Sequence, residues 1–399
     1  MSLSHGPATL AIPGPSIIPD RVLRAMHRPA PNIYAGALIE MTHTIVPDLK
    51  AVARTRHHAV MYVGNGHAAW EACLANTHSR GDLVLVPATG LFGNGWAAIA
   101  RGLGLEVEVM DFGKRTPMDP DRIAERLAAD TQHRIKSVLA VHVDTSTSIR
   151  NDIPAIRAAL DEAGHPALLQ ADCIASMGCD VFEMDEWGVN VAITGCQKGL
   201  MTPPGMSFVF YDDRAAAARA GADCVTAYWD WTPRTDPDRF YQYFAGTAPT
   251  HHLHGLRTAL DMLVHEEGVE AAWHRHGRLA RALWAAFEAW AHPDGIGMNV
   301  VDRAHRSHAV TALRLDGAAT RLREWCTDEM GVTLGIGLGM ADYDDPRWHD
   351  FFRLGHMGHL SGHSLMGTLG AIQTGLTALG IPHGPGALDA AASALAAEG

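Results

Sequence analysis

Seven short apolar runs, several rich in β-branched residues, recur through the first two-thirds of the chain, each followed by an amphipathic or turn-rich stretch. They are His58–Val63, Asp82–Pro87, Glu106–Met110, Lys136–Val143, Ala167–Ala171, Val189–Thr194 and Met206–Tyr211. Helical segments such as Ala68–Asn76, Asn94–Arg101, Asp119–Ala129 and Ile153–Ala163 fall between them. This alternation specifies an α/β protein built on a mostly parallel seven-stranded sheet, because a parallel neighbour is reached only through a crossover, usually a helix. Ser137–Val143 (SVLAVHV) is almost continuously apolar, as a strand covered on both faces requires.

Near residue 225 the texture changes. Tyr228–Pro233 is aromatic and turn-rich, and a helix is expected from about Leu253 to Glu267. The next helix, Val269–Trp290, sets Trp273, Leu279, Leu283, Ala286 and Trp290 on one stripe. Strands at Ala309–Leu315, Val332–Ile336 and Phe351–Gly355, with helices at Ala319–Met330, Ser364–Leu379 and Gly386–Ala397, form a second, smaller α/β unit. A chain of 399 residues is long for one core. The expected organisation is an N-terminal segment at 1–20, a large domain at 21–255, and interdomain helices with a small C-terminal domain at 256–399.

Composition removes several function classes. Hydrophobic residues make up 47% and the formal charge is −12, without a run of five like charges, which argues against nucleic acid or an anionic membrane as the main partner. No stretch approaches 18 apolar residues, and Met-Ser-Leu-Ser-His-Gly does not read as a signal peptide. Six cysteines without a CxxC pair fit reduced thiols in a cytoplasmic protein. The 24 histidines include three dense groups: His251, His252 and His254; His274 and His276; His356, His359 and His363. None forms HExxH or a zinc-finger spacing, so they read as polar surface and interface residues and no metal is expected.

Chemistry concentrates at strand ends. Val189–Thr194 delivers Gly195-Cys196-Gln197-Lys198, and the carboxyl ends of strands in open α/β sheets are where ligands bind. A lysine partly buried there has a lowered pKa and more neutral amine, able to form an imine. The preceding strand ends on Asp172, placed to hold a proton on a pyridine nitrogen or to cap a turn. Gly64-Asn65-Gly66-His67 turns from a strand into a helix, where backbone N–H groups suit a phosphate. His142–Ser148 is a hydroxyl-rich loop, and Arg353 is a lone cation among apolar neighbours, costly to bury without a carboxylate. A bound substrate carboxylate or a structural ion pair would each account for it.

Together these segments resemble the class V aminotransferases of fold type I, in the alanine/serine–glyoxylate branch. The resemblance runs from Pro13-Gly14-Pro15-Ser16 to Gly380-Ile-Pro-His, through Asn65-Gly66-His67-Ala68-Ala69, Gly195–Lys198 with Pro203-Pro204-Gly205, and Arg353-Leu-Gly-His-Met-Gly. It implies pyridoxal 5'-phosphate held as a Schiff base on Lys198, with Asp172 on the pyridine nitrogen. It further implies Asn65, Gly66, His67 and Gln197 at the phosphate, Phe92 stacked on the ring, and Thr145 near the cofactor. Thr247 would be lent to the phosphate by a neighbouring subunit in a homodimer, while Gly14, Tyr34 and Arg353 would serve the substrate. The chain departs from the family at three places. The tyrosine three residues before that threonine falls on Phe244, with Tyr243 one step away. Ser148 stands where the loop usually ends in glycine. No His-Arg pair accompanies Tyr34-Ala35.

The implied activity is transfer of an amino group from a small L-amino acid (serine, alanine or aspartate) to glyoxylate or pyruvate. A sister group, the pyridoxamine–pyruvate aminotransferases, also has tyrosine and an Asp-Thr pair where Tyr34 and Asp144-Thr145 stand. Desulfurases and kynureninases generally carry histidine before the lysine, where this chain has Gln197, which disfavours lyase chemistry. A metal hydrolase built on the histidine groups is the rival from a different class.

Overall fold

A computed structural model describes residues 2–291 and 295–397. The termini of the outer segments expected above, Met1 and residues 398–399, lie outside the described residues. All seven expected strands form one sheet, ordered His58–Gly64, Gly205–Tyr211, Val191–Gly195, Leu168–Asp172, Ile135–Val141, Leu83–Ala88, Glu106–Asp111. Every neighbouring pair is parallel except those made by Gly205–Tyr211, which runs antiparallel to both neighbours. Side chains alternate across the sheet. Ala59, Met61, Leu85, Val138 and Ala140 enter one buried core, while Val60, Tyr62, Val84, Val86, Leu139 and Val141 enter another on the opposite face. Burial on both sides is why these strands read as continuous apolar runs.

A second sheet of five strands runs Thr9–Ala11, Val332–Ile336, Phe351–Gly355, Val310–Arg314, Gly297–Met298. Its outer strand comes from the start of the chain, with Thr9 opposite Val332. The helix Val269–Trp290 joins the two cores: Val269, Ala272 and Trp273 pack into the first, and Leu279, Leu283, Phe287 and Trp290 into that of the small sheet. The segment expected as one helix from Leu253 is an α-helix over Thr250–Leu260 that continues as a π-helix over Asp261–Glu267. The helix Ala37–Ala53 was not expected, and Pro47 lies inside it. No helix among the described residues is long and apolar enough to cross a membrane.

Candidate active site

Three parallel strands of the large sheet end around one cleft of about 290 Å³, lined among others by Gly14, Asn65, Gly66, His67, Trp70, Phe92, Val143, Thr145, Asp172, Gln197 and Lys198. Lys198 follows the strand Val191–Gly195 on a tight turn closed by the Met201 N–H to Lys198 O (3.1 Å) and the Thr202 N–H to Cys196 O (2.9 Å). The chain has four lysines: Lys50, Lys114, Lys136 and Lys198. Lys198 alone is buried, at 9% exposure. The N-terminal segment holds it: Ser16 Oγ donates to Lys198 O (2.7 Å), Ser16 N–H donates to Gln197 O (2.8 Å), and Lys198 Nζ donates to Pro13 O. Gly14 lies directly over the amine. Its φ is +93°, and a Cβ there would fall 2.5 Å from Lys198 Nζ, so no other residue leaves the lysine in place. Burial, with the Arg353 charge second, lowers the amine to about 8.

Asp172 ends its strand with both carboxylate oxygens engaged, one by the Ile174 N–H (2.8 Å) and the other by Trp70 Nε1 (2.9 Å). Burial nonetheless raises it to about 7. At the opposite wall Asn65 caps the helix Gly66–Thr77, its Oδ1 accepting from His67 N–H (3.1 Å) and Ala68 N–H (3.4 Å). Gly66 N–H, at the first helical position, has no intrahelical acceptor. Phe92 lies in the first turn of the helix Leu91–Gly102, which the buried Asp144 caps, Oδ2 accepting Phe92 N–H at 2.9 Å.

Asp144 and Thr145 sit on the hairpin Val143–Asp144/Ile149–Arg150, where the sequence pointed to one long strand running on to Val143. Ser148 in that hairpin has φ +62°, a left-handed conformation that favours the glycine expected there from the resemblance. Its Oγ accepts the Ala312 N–H (3.0 Å), tying the hairpin to the small sheet.

From the small sheet Arg353 reaches the same hairpin, Nη1 donating to Thr145 O and Nε to Ile336 O, both at 2.7 Å. It is 6% exposed, and no carboxylate among the described residues lies within ion-pair distance. The structural ion pair entertained from sequence is therefore not made among the described residues. Burial lowers this guanidinium to about 10.

The structure thus gathers Gly14, Asn65, Gly66, His67, Phe92, Thr145, Asp172, Gln197 and Lys198 around one cleft, with Arg353 behind Thr145. Tyr34 and Tyr243 line a different cleft with Ile33, His43 and Phe240, and Tyr34 is 87% exposed. Thr247 is exposed beside that cleft, while Phe244 is buried in the core. Trp70 lines the site but gave no signal in the sequence, because an indole on a helix buried on nearly every side is indistinguishable from core. The Tyr228–Pro233 segment packs rather than lining the cleft: Trp231 stacks on Tyr211 at 4.0 Å, and Tyr228 Oη donates to Val63 O (3.1 Å).

The histidine groups do not converge among the described residues. His276 Nε2 accepts the Gly358 N–H (2.9 Å) and His356 meets Thr311 Oγ1 (3.0 Å). The group with metal-ligand geometry there is Asp48, Asp261 and His265, where Arg257 already bridges the two carboxylates.

The donor set fits a group carrying an aldehyde, a basic ring nitrogen and a phosphate. One buried amine and one buried carboxylate face the cleft, a helix start flanks it, and Gln197 Oε1 is buried without a hydrogen-bond partner. This architecture, two sheets joined by a long helix with the site at the strand ends, is fold type I of the pyridoxal-phosphate enzymes. The profile of the class V aminotransferase family matches residues 13–343, and the chain belongs to that family. It is 36% identical to the serine–glyoxylate aminotransferase of Methylorubrum extorquens, covering 96% of this chain and 94% of the relative. Identity to the L-aspartate–glyoxylate aminotransferase of Paracoccus denitrificans is 32%, over 93% and 91% of the two chains. The crystal structure of pyridoxamine–pyruvate aminotransferase from Mesorhizobium loti superposes with a TM-score of 0.87 at 25% identity, covering 99% and 98% of the chains. Membership implies pyridoxal 5'-phosphate as cofactor and amino and keto acids as substrates.

Proposed function

We propose that this enzyme transfers the amino group of a small L-amino acid (serine, alanine or aspartate) to glyoxylate or pyruvate, with pyridoxal 5'-phosphate held in the Lys198 cleft. The observation that carries this reading is Arg353: a buried cation without a carboxylate partner among the described residues, one hydrogen bond from Thr145 in the wall of the cleft that holds Lys198 and Asp172. When bound, the cofactor supplies an electron sink for negative charge developing at the amino acid's Cα.

Lys198 would hold it through Nζ, Asp172 through a proton on the ring nitrogen, and Asn65, Gly66, His67 and Gln197 through the phosphate, with Phe92 beside the ring and Thr145 near it. Lys198, lowered to about 8, is suited to take a proton at Cα and return it one position away. Arg353 orients the carboxylate of each substrate in turn, its planar fork matching two oxygens. Gly14, bare of side chain, lets the Lys198 side chain lie against the backbone at the cleft wall. Val143, Ile174, Ala175 and Pro204 give the cleft an apolar wall that limits water.

Tyr243, Thr247 and Tyr34 lie outside this cleft in one chain, which supports a homodimer in which a second copy presents Thr247, and Tyr243 in the family's tyrosine role, to the neighbouring site. Six buried cysteines without a disulfide fit a cytoplasmic enzyme. The pyridoxamine–pyruvate reading draws on the structural likeness. It is the weaker one, because the serine– and aspartate–glyoxylate relatives match at 36% and 32% identity against 25% for the pyridoxamine enzyme.

Initial rates with serine, alanine, aspartate and pyridoxamine as donors against glyoxylate and pyruvate test the proposal. The expected result is turnover of at least one amino acid with parallel double-reciprocal lines, since the enzyme alternates between two forms. Intersecting lines, or turnover of pyridoxamine alone, would contradict it.

A further inference from the structure

Trp70 is fully buried in the first turns of the helix Gly66–Thr77, and its indole is aimed at the one carboxylate at the foot of the cleft. Nε1 donates to Asp172 Oδ2 at 2.9 Å, and the ring is fixed from several sides. Trp96 stacks on it at 6.1 Å with 13° between planes, Phe92 meets its edge at 6.2 Å, and His67 packs at 4.5 Å. Gly95 makes the space, since a Cβ there would stand 3.3 Å from the indole. An indole N–H is a donor only, so it favours the carboxylate, whose oxygens only accept, over the neutral acid, whose O–H it cannot accept.

We propose that Trp70 is a positioning residue that keeps Asp172 ionised and aimed at the cofactor's ring nitrogen. This rests on the reading of Asp172 given above. The carboxylate has two fixed partners, Ile174 N–H on one oxygen and Trp70 on the other. The titratable groups around it are Asp144, which disfavours its charge, Lys198, which favours it, and the thiols of Cys73 and Cys173. With burial pushing the acid toward its neutral form, losing a charge-assisted bond tips the balance. A neutral Asp172 cannot hold a proton on a pyridine nitrogen.

The test follows the Asp172 carboxyl directly in cofactor-free enzyme by carbon-13 NMR of labelled aspartate, assigned with Asp172→Asn. Trp70→Phe keeps an aromatic ring and removes the donor, and the expected shift of the midpoint is about one unit upward. Trp96→Phe disturbs the same stack without touching Asp172 and is expected to leave the midpoint in place. An unmoved midpoint in Trp70→Phe, or an equal shift in both variants, would overturn the proposal, the latter because packing alone would then suffice. Should Trp70→Phe not fold, the wild-type indole N–H resonance of Trp70 is expected to titrate with Asp172 and to lose that titration in Asp172→Asn; a pH-independent resonance overturns the proposal equally. Normal cofactor binding by Asp172→Asn would instead refute the role given to Asp172, leaving the coupling between Trp70 and Asp172 intact.

Discussion

Arg353 bears a charge that the fold buries and, among the described residues, satisfies with two backbone carbonyls. Removing a charge-assisted, fork-type contact costs about 1.5–3 kcal/mol, so Arg353→Met is expected to raise KM for amino and keto acid alike by roughly 10–10²-fold. Steady-state kinetics checks this, and an unchanged KM would assign the arginine to structure. The residues most legible in the sequence were those with a position as well as a type: Asp172 ends one strand and Lys198 lies on the turn just after another, where α/β sheets bind ligands. Trp70 gave no such signal. Its role depends on a contact between residues 102 positions apart, and periodicity sees only the helix that carries it.

At the scale of elements, the inner strands of the large sheet were readable because burial on both faces imprints itself on every residue of a strand, while the edge strand Glu106–Asp111 shows the alternation of a half-covered one. What escaped was set by distant partners or by an exception to local rules. Thr9–Ala11 is three residues long and becomes a strand only against Val332–Leu334. The helix Ala37–Ala53 buries Leu38, Ile45, Leu49 and Val52 on one stripe, yet Pro47 reads as a breaker. Pro47 is exposed, so the bond its missing N–H forfeits lies on the solvent side, where water can satisfy the freed carbonyl. Ser148 shows the converse. Its departure from glycine was visible, but not that the backbone keeps the left-handed turn while the hydroxyl gains a bond to Ala312 N–H.

For the molecule as a whole, the histidines matter through protons rather than metals. Burial lowers His78, His142 and His356 to about 4 and His276 to about 3. Each is below the unfolded value near 6.5, so between about 6.5 and 4 the unfolded chain binds protons that the native state does not. Their stabilisation is therefore fully present above pH 6.5 and is lost as the pH falls, at a cost of about 2 kcal/mol each by pH 5. Asp172, raised to about 7, and Asp144, also raised by burial, work in the opposite direction, but they are two carboxyls against four histidines. The expected outcome is a Tm that drops steadily from pH 7 to pH 5 in calorimetry; a flat profile would contradict it.

The central claim is that Lys198, the one buried lysine of four, carries the cofactor. Borohydride reduction of the holoenzyme followed by proteolysis and mass spectrometry tests it most directly. The expected result is a pyridoxyl-phosphate adduct on the peptide containing Gly195-Cys196-Gln197-Lys198. An adduct on Lys50, Lys114 or Lys136, or no adduct with the cofactor demonstrably bound, would contradict it.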